Sequence, residues 1–275
     1  DAPTPKAVRK YLFQFLHDHR VIELNRWLWC PILHGIILRT RPKRSAAAYA
    51  KIWGPEGSEA PLIEITRAQA AGVQAILGDS VHVEVAMRYG NPSIESAMAA
   101  LEAKGCDRMA VFPLYPQYAA ATTASIYDDV GKAIKRRRNA PQIRYLRDYH
   151  THVGYIKAVT QSIRDHIKTL DWTPDRIIAS FHGLPQEVVE KGDPYQKECL
   201  KSAQLMREDM GMDDSEFMIT FQSRFGPKAW LQPYTDKTLE AMPDQGLHKT
   251  VVVTPGFTSD CLETLEEIAL EAGES

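Results

Sequence analysis

The chain has 275 residues, enough for one large domain or two smaller domains, each with its own hydrophobic core. Its 33 Lys and Arg residues nearly balance its 35 Asp and Glu residues, and the resulting net charge of −2 argues against a nucleic-acid partner. Hydrophobic residues make up 44% and charged residues 25%, as in ordinary soluble globular proteins. The four cysteines form no Cys-x-x-Cys pair, which predicts a reducing, cytoplasmic compartment without a zinc knuckle.

The first predicted elements are helical. Thr4 as N-cap and Pro5 at the first helical position predict a helix over residues 5–16. The longest apolar stretch, residues 27–38, is shorter than the about 20 residues that a membrane-spanning helix needs. Its pattern alone favours a buried helix with a solvated basic end. The alternative is an exposed apolar lip, suited to a flat hydrophobic ligand or to an anionic membrane surface.

Two strands are predicted in the first half, and each is followed by polar or aromatic side chains. A strand over 81–87 ends at Arg88 and Tyr89, and a strand over 108–112 is followed by Tyr115. An arginine at a strand end can hold a carboxylate through two parallel hydrogen bonds, and a tyrosine can pack on a ring. The alternatives are an exposed arginine without a partner and turn aromatics without a function.

The second half alternates strands with helices at a spacing of about 30 residues. The predicted strands cover 176–181, 216–222 and 249–254, and the predicted helices cover 195–210, 234–242 and 260–271. This alternation predicts an α/β fold of two doubly wound parallel-sheet (Rossmann-like) domains with an active-site cleft between them. We assign residues 1–150 to the N-terminal domain and residues 151–275 to the C-terminal domain.

A histidine and several acids stand where two of these strands end. His182 closes the 176–181 strand, and Ser259 and Asp260 are placed to cap the helix that follows the 249–254 strand. On that helix three acids recur every four residues and share one face: Glu263, Glu267 and Glu271. If both strands belong to one parallel sheet, the imidazole and the first glutamate emerge at the same edge. Such a pair is either a transition-metal site or an acid/base pair, and the alternative is an ordinary turn histidine.

Four short motifs follow one another in the second half. They are Ser-Phe-His-Gly-Leu-Pro at 180–185, Gly-Asp-Pro-Tyr at 192–195, Phe-Gln-Ser-Arg-Phe-Gly-Pro with Trp230 at 221–230, and Gly-Phe-Thr-Ser-Asp-Cys-Leu-Glu-Thr-Leu at 256–265. In these motifs the chain resembles the ferrochelatases of bacterial type, which insert ferrous iron into a porphyrin to make haem. The resemblance runs along the whole chain. Members of that family have a strand before this point and further elements after it, so we expect the chain to be truncated at both ends.

The resemblance implies a chelatase-like fold and a lyase that inserts ferrous iron into protoporphyrin IX with release of two protons. It makes His182 and Glu263 the metal-binding and catalytic pair, and it leaves open which of them takes protons and which delivers iron. The acids implied around this pair are Asp260, Glu267 and Glu271. The residues implied to contact the porphyrin are Arg88, Tyr89, Tyr115 and Trp230. The resemblance also implies that the 27–38 stretch is an apolar lip over the porphyrin.

Iron is expected as a substrate, and no organic cofactor is expected. An iron–sulfur cluster stays open, because the family's cluster ligands lie largely in a C-terminal region that this chain lacks. The expected partners are protoporphyrin IX and ferrous iron, with no nucleic acid. The expected location is cytoplasmic, and peripheral membrane contact through residues 27–38 is a further expectation. The alternative functions are a coproporphyrin ferrochelatase, another tetrapyrrole metal chelatase, or a non-catalytic tetrapyrrole-binding protein.

Overall fold

The computed structural model describes residues 3–55 and 58–273. The chain divides into two compact units. Unit 1 comprises Asp1–Pro113, Ala120–Leu146 and Ser259–Leu262. Unit 2 comprises Leu114–Ala119, Arg147–Thr258 and Glu263–Ser275. The predicted boundary between residues 150 and 151 stays a prediction.

Unit 1 is mainly helical. Its α-helices are α1 (Pro5–Leu16), α2 (Arg26–Ile32), α3 (Leu38–Ile52), α4 (Pro61–Leu77), α5 (Ile94–Ala103) and α6 (Ser125–Lys135). π-Helical turns at Leu33–Ile37 and Ala120–Ala124 lead into α3 and α6. As predicted, the Thr4 side chain caps α1 by accepting a hydrogen bond from the backbone N–H of Ala7. The strands β1 (Arg108–Val111) and β2 (Gln142–Tyr145) pair in parallel.

The strand predicted over residues 81–87 is wrong. In this stretch the structure shows only a single bridge, between Met87 and Ser93. The side chain of Gln74 takes the place of a neighbouring strand: its amide nitrogen donates to the carbonyl of Val81 at 2.8 Å and its oxygen accepts from the N–H of Val83 at 2.9 Å. Because backbone polar groups need partners, this side chain gives two of the segment's backbone groups the contacts that a neighbouring strand would supply.

Unit 2 contains a three-stranded parallel sheet in the order β4–β3–β5, which confirms the predicted parallel α/β arrangement. The strands are β3 (Arg176–His182), β4 (Phe217–Gln222) and β5 (Thr250–Val253). The helices are α7 (Val153–Thr169), α8 (Gln186–Glu190), α9 (Tyr195–Met210) and α10 (Thr235–Ala241), and a π-helical segment covers Glu263–Ala272. The central strand β3 is buried from residue 177 to residue 181, as is typical of parallel strands covered on both faces.

The apolar lip, residues 27–38, has one exposed and one buried side. Trp27 is 89% exposed, whereas Trp29 is 9% exposed and donates its indole N–H to the carbonyl of Leu16 at 2.8 Å. Leu33 and Leu38 are buried, and the exposed side is completed by Leu28, Ile32 and Ile36. A wholly buried helix, which the pattern alone favoured, is therefore wrong. No helix in the described part of the chain is long and apolar enough to cross a membrane.

Candidate active site

His182 is the last residue of β3 and is half-buried. Its Nδ1 atom lies 2.6 Å from the carbonyl oxygen of Gly183. A carbonyl can only accept a hydrogen bond, so Nδ1 carries the proton and the lone pair of the neutral ring lies on Nε2. Nε2 is therefore the atom of this ring that can take a proton or bind a metal ion.

The turn after His182 is closely packed. A Cβ atom at Gly183 would lie 2.8 Å from the carbonyl oxygen of Gln222 and 3.2 Å from the ring of Trp230. The Trp230 side chain is buried and donates its indole N–H to the carbonyl of Phe225 at 3.0 Å. The structure thus shows Trp230 supporting the backbone next to His182, and its stacking on a porphyrin stays a prediction.

Gln222 links His182 to the start of the π-helical segment. It is the register partner of His182 across β3 and β4, and paired residues of neighbouring strands project to the same face of a sheet. Its side-chain oxygen accepts from the Ser180 hydroxyl at 2.7 Å, which fixes the orientation of the amide. Its amide nitrogen then donates to the carbonyl of Glu263 at 2.9 Å. The first residue of the π-helical segment is therefore attached to the side chain that pairs with His182.

Ser223 and Glu267 form a second attachment at the same strand end. Ser223 has a φ of 66°, a left-handed conformation that is uncommon for residues other than glycine. The Glu267 carboxylate accepts from its N–H at 2.7 Å and from its hydroxyl at 2.5 Å. These bonds stabilise a turn that costs on the order of 1–3 kcal/mol. Both oxygens of Glu267 are therefore engaged in holding the turn.

Sequence reasoning did not assign a role to Gln222 or Ser223. The available signal was their position, since both lie in the 221–230 motif directly at the end of a strand. What the sequence could not supply was the partner, because Glu267 lies 44 residues away from Ser223 along the chain.

The segment predicted as an α-helix over 260–271 is π-helical from Glu263 to Ala272. π-Helical turns are rare and are frequent at functional sites. Glu263 and Glu267 lie on this segment, while the side chain of Glu271 falls outside the described residues. Asp260 is exposed and belongs to the Ser259–Leu262 part of unit 1. The Ser259 hydroxyl contacts the side-chain oxygen of Gln69 at 3.2 Å.

Arg88 and Tyr89 lie in a buried polar network of unit 1. The guanidinium of Arg88 forms a salt bridge with Asp18 and donates to the carbonyl of Ser125 at 3.0 Å. The Tyr89 hydroxyl donates to Asp18 at 2.8 Å. The alternative of an exposed, unpartnered arginine is therefore wrong. Their predicted position at the end of a strand is also wrong, because residues 81–87 form no strand.

The pKa of the Asp18 carboxyl reflects two opposing effects. Burial by itself would raise this pKa, but the hydrogen bonds from Ser125, the Arg20 N–H and Tyr89, with the charge of Arg88, lower it below its ordinary value. Burial also raises the pKa of the Tyr89 hydroxyl, so that group stays protonated and remains a donor. Asp18 is the anchor of the network, and nothing in the sequence pattern around it indicated this role.

A third cluster lies in unit 2 and was not predicted. Among the described residues, Asp148, His150 and Glu198 bring ligand atoms within 4.8 Å of one another. Arg147 binds both carboxylates, and the backbone N–H of Tyr118 donates to Glu198 at 2.7 Å. A metal ion would have to displace the guanidinium, so we assign this cluster to an ion-pair network. Tyr115 lies on the same Leu114–Ala119 segment as Tyr118 and is exposed.

Two shallow concavities lie elsewhere on the described surface. One is lined by parts of α4 and of α5 in unit 1, and the other lies beside α10 in unit 2. Neither includes His182 or Glu263. The candidate site is therefore located by the chemistry at the strand ends and not by these concavities.

The sequence model of the ferrochelatase family matches residues 1–275. The chain belongs to the ferrochelatase family. A ferrochelatase of Agrobacterium fabrum is 51% identical over 269 residues, which cover 97% of this chain and 78% of the relative. A ferrochelatase of Rhodopseudomonas palustris is 51% identical over 276 residues, which cover 100% of this chain and 80% of the relative.

Membership in the ferrochelatase family confirms the predicted enzyme class, a lyase of haem biosynthesis that inserts iron into a porphyrin. Among solved structures, SirB from Bacillus subtilis with Fe³⁺ is similar with a TM-score of 0.56 and 20% identity, covering 77% of each chain. The sirohydrochlorin chelatase SirB in complex with cobalt is similar with a TM-score of 0.53 and 17% identity. These similarities confirm the chelatase-like α/β fold.

Proposed function

We propose that the chain inserts ferrous iron into protoporphyrin IX and that His182 and Glu263 handle the metal and the protons. The observation that carries this proposal is the strand-end arrangement of unit 2. His182, whose Nε2 carries the lone pair, is the last residue of β3. Gln222, whose side chain bonds to the carbonyl of Glu263, is the last residue of the adjacent parallel strand β4. The carboxyl ends of parallel strands are the usual location of ligand sites in α/β sheets.

The reaction exchanges one dication for two protons, so the total charge is conserved. The porphyrin loses the protons of two pyrrole nitrogens, and Fe²⁺ sheds its water ligands and binds the four ring nitrogens. The Nε2 atom of His182 can accept one of these protons, and the carboxylate of Glu263 can accept the other or ligate the incoming ion. Which of the two side chains takes protons and which delivers iron stays open.

Glu267 has a different role in this proposal. Its carboxylate holds the Ser223 turn, and that turn lies next to Gln222, which holds Glu263. We propose that Glu267 positions Glu263 and does not itself ligate the metal. Asp260 and Glu271 remain candidates for groups that pass protons or iron toward the pair.

We further propose that Arg88, Tyr89, Tyr115 and Trp230 contribute to porphyrin binding. The Arg88 guanidinium already contacts acids of the protein, and a substrate carboxylate would meet it in that state. The guanidinium binds Asp18, and its Nη1 atom lies 3.7 Å from a carboxylate oxygen of Asp129. A substrate carboxylate would therefore share the guanidinium with acids of the protein and not meet a free cation.

The exposed side of the apolar lip is proposed to contact the porphyrin or an anionic membrane surface. Trp27 and Leu28 stand out into solvent, and four exposed cations follow on α3: Arg39, Arg41, Lys43 and Arg44. Apolar groups beside basic groups suit a negatively charged bilayer surface. The cytoplasmic location stays a prediction.

The decisive experiment is an anaerobic insertion assay with Fe²⁺ and either protoporphyrin IX or coproporphyrin. We expect metalloporphyrin with protoporphyrin IX, and we expect His182→Ala to abolish insertion while porphyrin binding, followed by fluorescence, is retained. His248→Ala is the matched control, because His248 is exposed and lies at the start of the β5 region. Wild-type turnover in His182→Ala would remove this residue from the mechanism. No product with either porphyrin would support the non-catalytic alternative.

A further inference from the structure

Two histidines outside the candidate active site meet on the surface of unit 1. His17 is the C-cap residue that directly follows α1, and His34 lies in the π-helical turn Leu33–Ile37. Their Nε2 atoms lie 3.2 Å apart. Their rings cross at 62° with centroids 5.0 Å apart. The side chain of His34 is exposed, so solvent and ions can reach the two facing nitrogens.

The protons on this pair follow from its neighbours. The Nδ1 atom of His17 lies 2.6 Å from the carbonyl oxygen of Phe13, so Nδ1 carries the proton and Nε2 carries a lone pair. The contact between the two Nε2 atoms then needs a proton on Nε2 of His34. One proton thus occupies the space between two nitrogens, and a cation of another kind can replace it.

We propose that His17 and His34 together bind one divalent transition-metal ion. A metal ion bound to two imidazoles at about 2.0–2.1 Å holds their nitrogens roughly 3.0–3.4 Å apart. The observed 3.2 Å lies inside that range. The side chains therefore already stand at the separation of two ligands of one ion, and water would complete the coordination.

The surroundings of the pair fit such a site. A metal-binding histidine commonly donates its other N–H to a carbonyl, and His17 does so with Phe13. The Phe13 ring packs against both imidazoles, with centroids at 4.2 Å from His17 and 5.7 Å from His34. The π-helical turn gives His34 its place opposite His17, and such turns are frequent at functional sites.

The donor set selects the class of metal ion. Two imidazole nitrogens suit Zn²⁺, Ni²⁺ and Cu²⁺, whereas Mg²⁺ and Ca²⁺ prefer oxygen ligands. Binding requires a neutral His34 to move its proton from Nε2 to Nδ1 through solvent, and no net proton is lost.

The test is a calorimetric titration of the full chain with Ni²⁺, in both the wild-type and the His182→Ala background. We expect His17→Gln and His34→Gln each to weaken one Ni²⁺ site by at least about 10-fold, and we expect this loss in both backgrounds. The His182→Ala background separates this site from the proposed active site. His19→Gln is the control, since His19 is exposed and near the pair in sequence.

Cu²⁺ bound at the same site should show two equivalent nitrogen ligands in its electron paramagnetic resonance spectrum, and one or none in either variant. His34→Gln keeps the test valid if His17→Gln folds poorly, because the His34 side chain is exposed. Equal Ni²⁺ binding in all variants would overturn the proposal. An equal loss in His19→Gln would overturn it as well, since the binding would then not depend on the pair.

Discussion

Asp18→Asn is the substitution that most directly probes the network around Arg88. The Asp18 carboxylate accepts hydrogen bonds from Arg88, Tyr89 and Ser125 on one oxygen and from the Arg20 N–H at 2.8 Å on the other. Asparagine keeps the shape and the acceptor for Arg20. It presents an NH₂ group to the other three donors and removes the negative charge that faces the guanidinium.

The expected loss is about 3 kcal/mol of unfolding free energy. Removing one partner of a buried ion pair costs about 3–5 kcal/mol, because the remaining charge has no counterion. The Asp18 side chain is 5% exposed and that of Arg88 is 13% exposed, so solvent compensates little. Asp129, at 3.7 Å from Arg88, supplies some replacement charge and favours the lower end of the range.

The pH dependence of this loss has a definite sign. The pKa of Asp18 is lower in the folded chain than its ordinary value of 3.8, so its ionised form stabilises the fold. That contribution is complete above pH 3.8 and is lost as the pH falls through the folded pKa. The difference between wild type and Asp18→Asn should be constant from about pH 5 to 8 and shrink below about pH 4.

Urea unfolding, monitored by circular dichroism, measures the difference in unfolding free energy between the two proteins. This difference is the shift in the urea midpoint multiplied by the mean m-value. Asp128→Asn is the matched control, because Asp128 forms an ion pair with Arg20 at 2.8 Å in which both side chains are over 40% exposed. Exposed pairs contribute about 0.2–1 kcal/mol. If Asp18→Asn costs no more than Asp128→Asn, burial of the network does not control its contribution and the reasoning fails.

Further substitutions test Glu263, Glu267 and the apolar lip. Glu263→Gln should lower iron insertion by about 100-fold or more with porphyrin binding retained, and an unchanged kcat would exclude Glu263 from the chemistry. Glu267→Gln should destabilise the chain by about 1.5–3 kcal/mol and lower kcat more than it raises KM; adding Ser223→Gly should restore part of both, because glycine adopts a positive φ without strain. No restoration would argue against the positioning role. Trp27→Ser should weaken association with anionic vesicles or with porphyrin at nearly unchanged stability, whereas Trp29→Ser should cost about 3–5 kcal/mol. Equal stability losses would contradict the separation of the two sides of the lip.

The sequence pattern was sufficient to predict elements whose formation depends on neighbouring residues in the chain. The Thr4 cap and the Pro5 start predicted α1, and the apolar run before His182 predicted the buried strand β3. A strand covered on both faces needs a continuous apolar run, and a helix needs a cap and a periodic face, so these elements can be recognised from neighbouring residues alone. The predicted strand also places His182 correctly at the carboxyl end of β3.

The sequence pattern was misleading where contacts with another part of the chain determine the secondary structure of a segment. Residues 81–87 alternate like a strand, yet the side chain of Gln74 from α4 bonds to the carbonyl of Val81 and the N–H of Val83, where a second strand would otherwise pair. The segment after residue 260 repeats acids as an α-helix would, but it forms a π-helix from Glu263 onward. A periodic pattern shows which side of a segment is polar and does not show which neighbour will bond to its backbone.

The sequence by itself determined the family, through short motifs whose order is specific, and it determined the buried strand that ends in His182. Tertiary structure alone decided that Asp18 pairs with Arg88 across 70 residues and that Ser223 is held by Glu267 across 44 residues. It also decided that Trp27 is exposed while Trp29 is buried. The physical reason is that burial and ion pairing depend on which distant groups come into contact, and a local pattern of residues carries no information about those contacts.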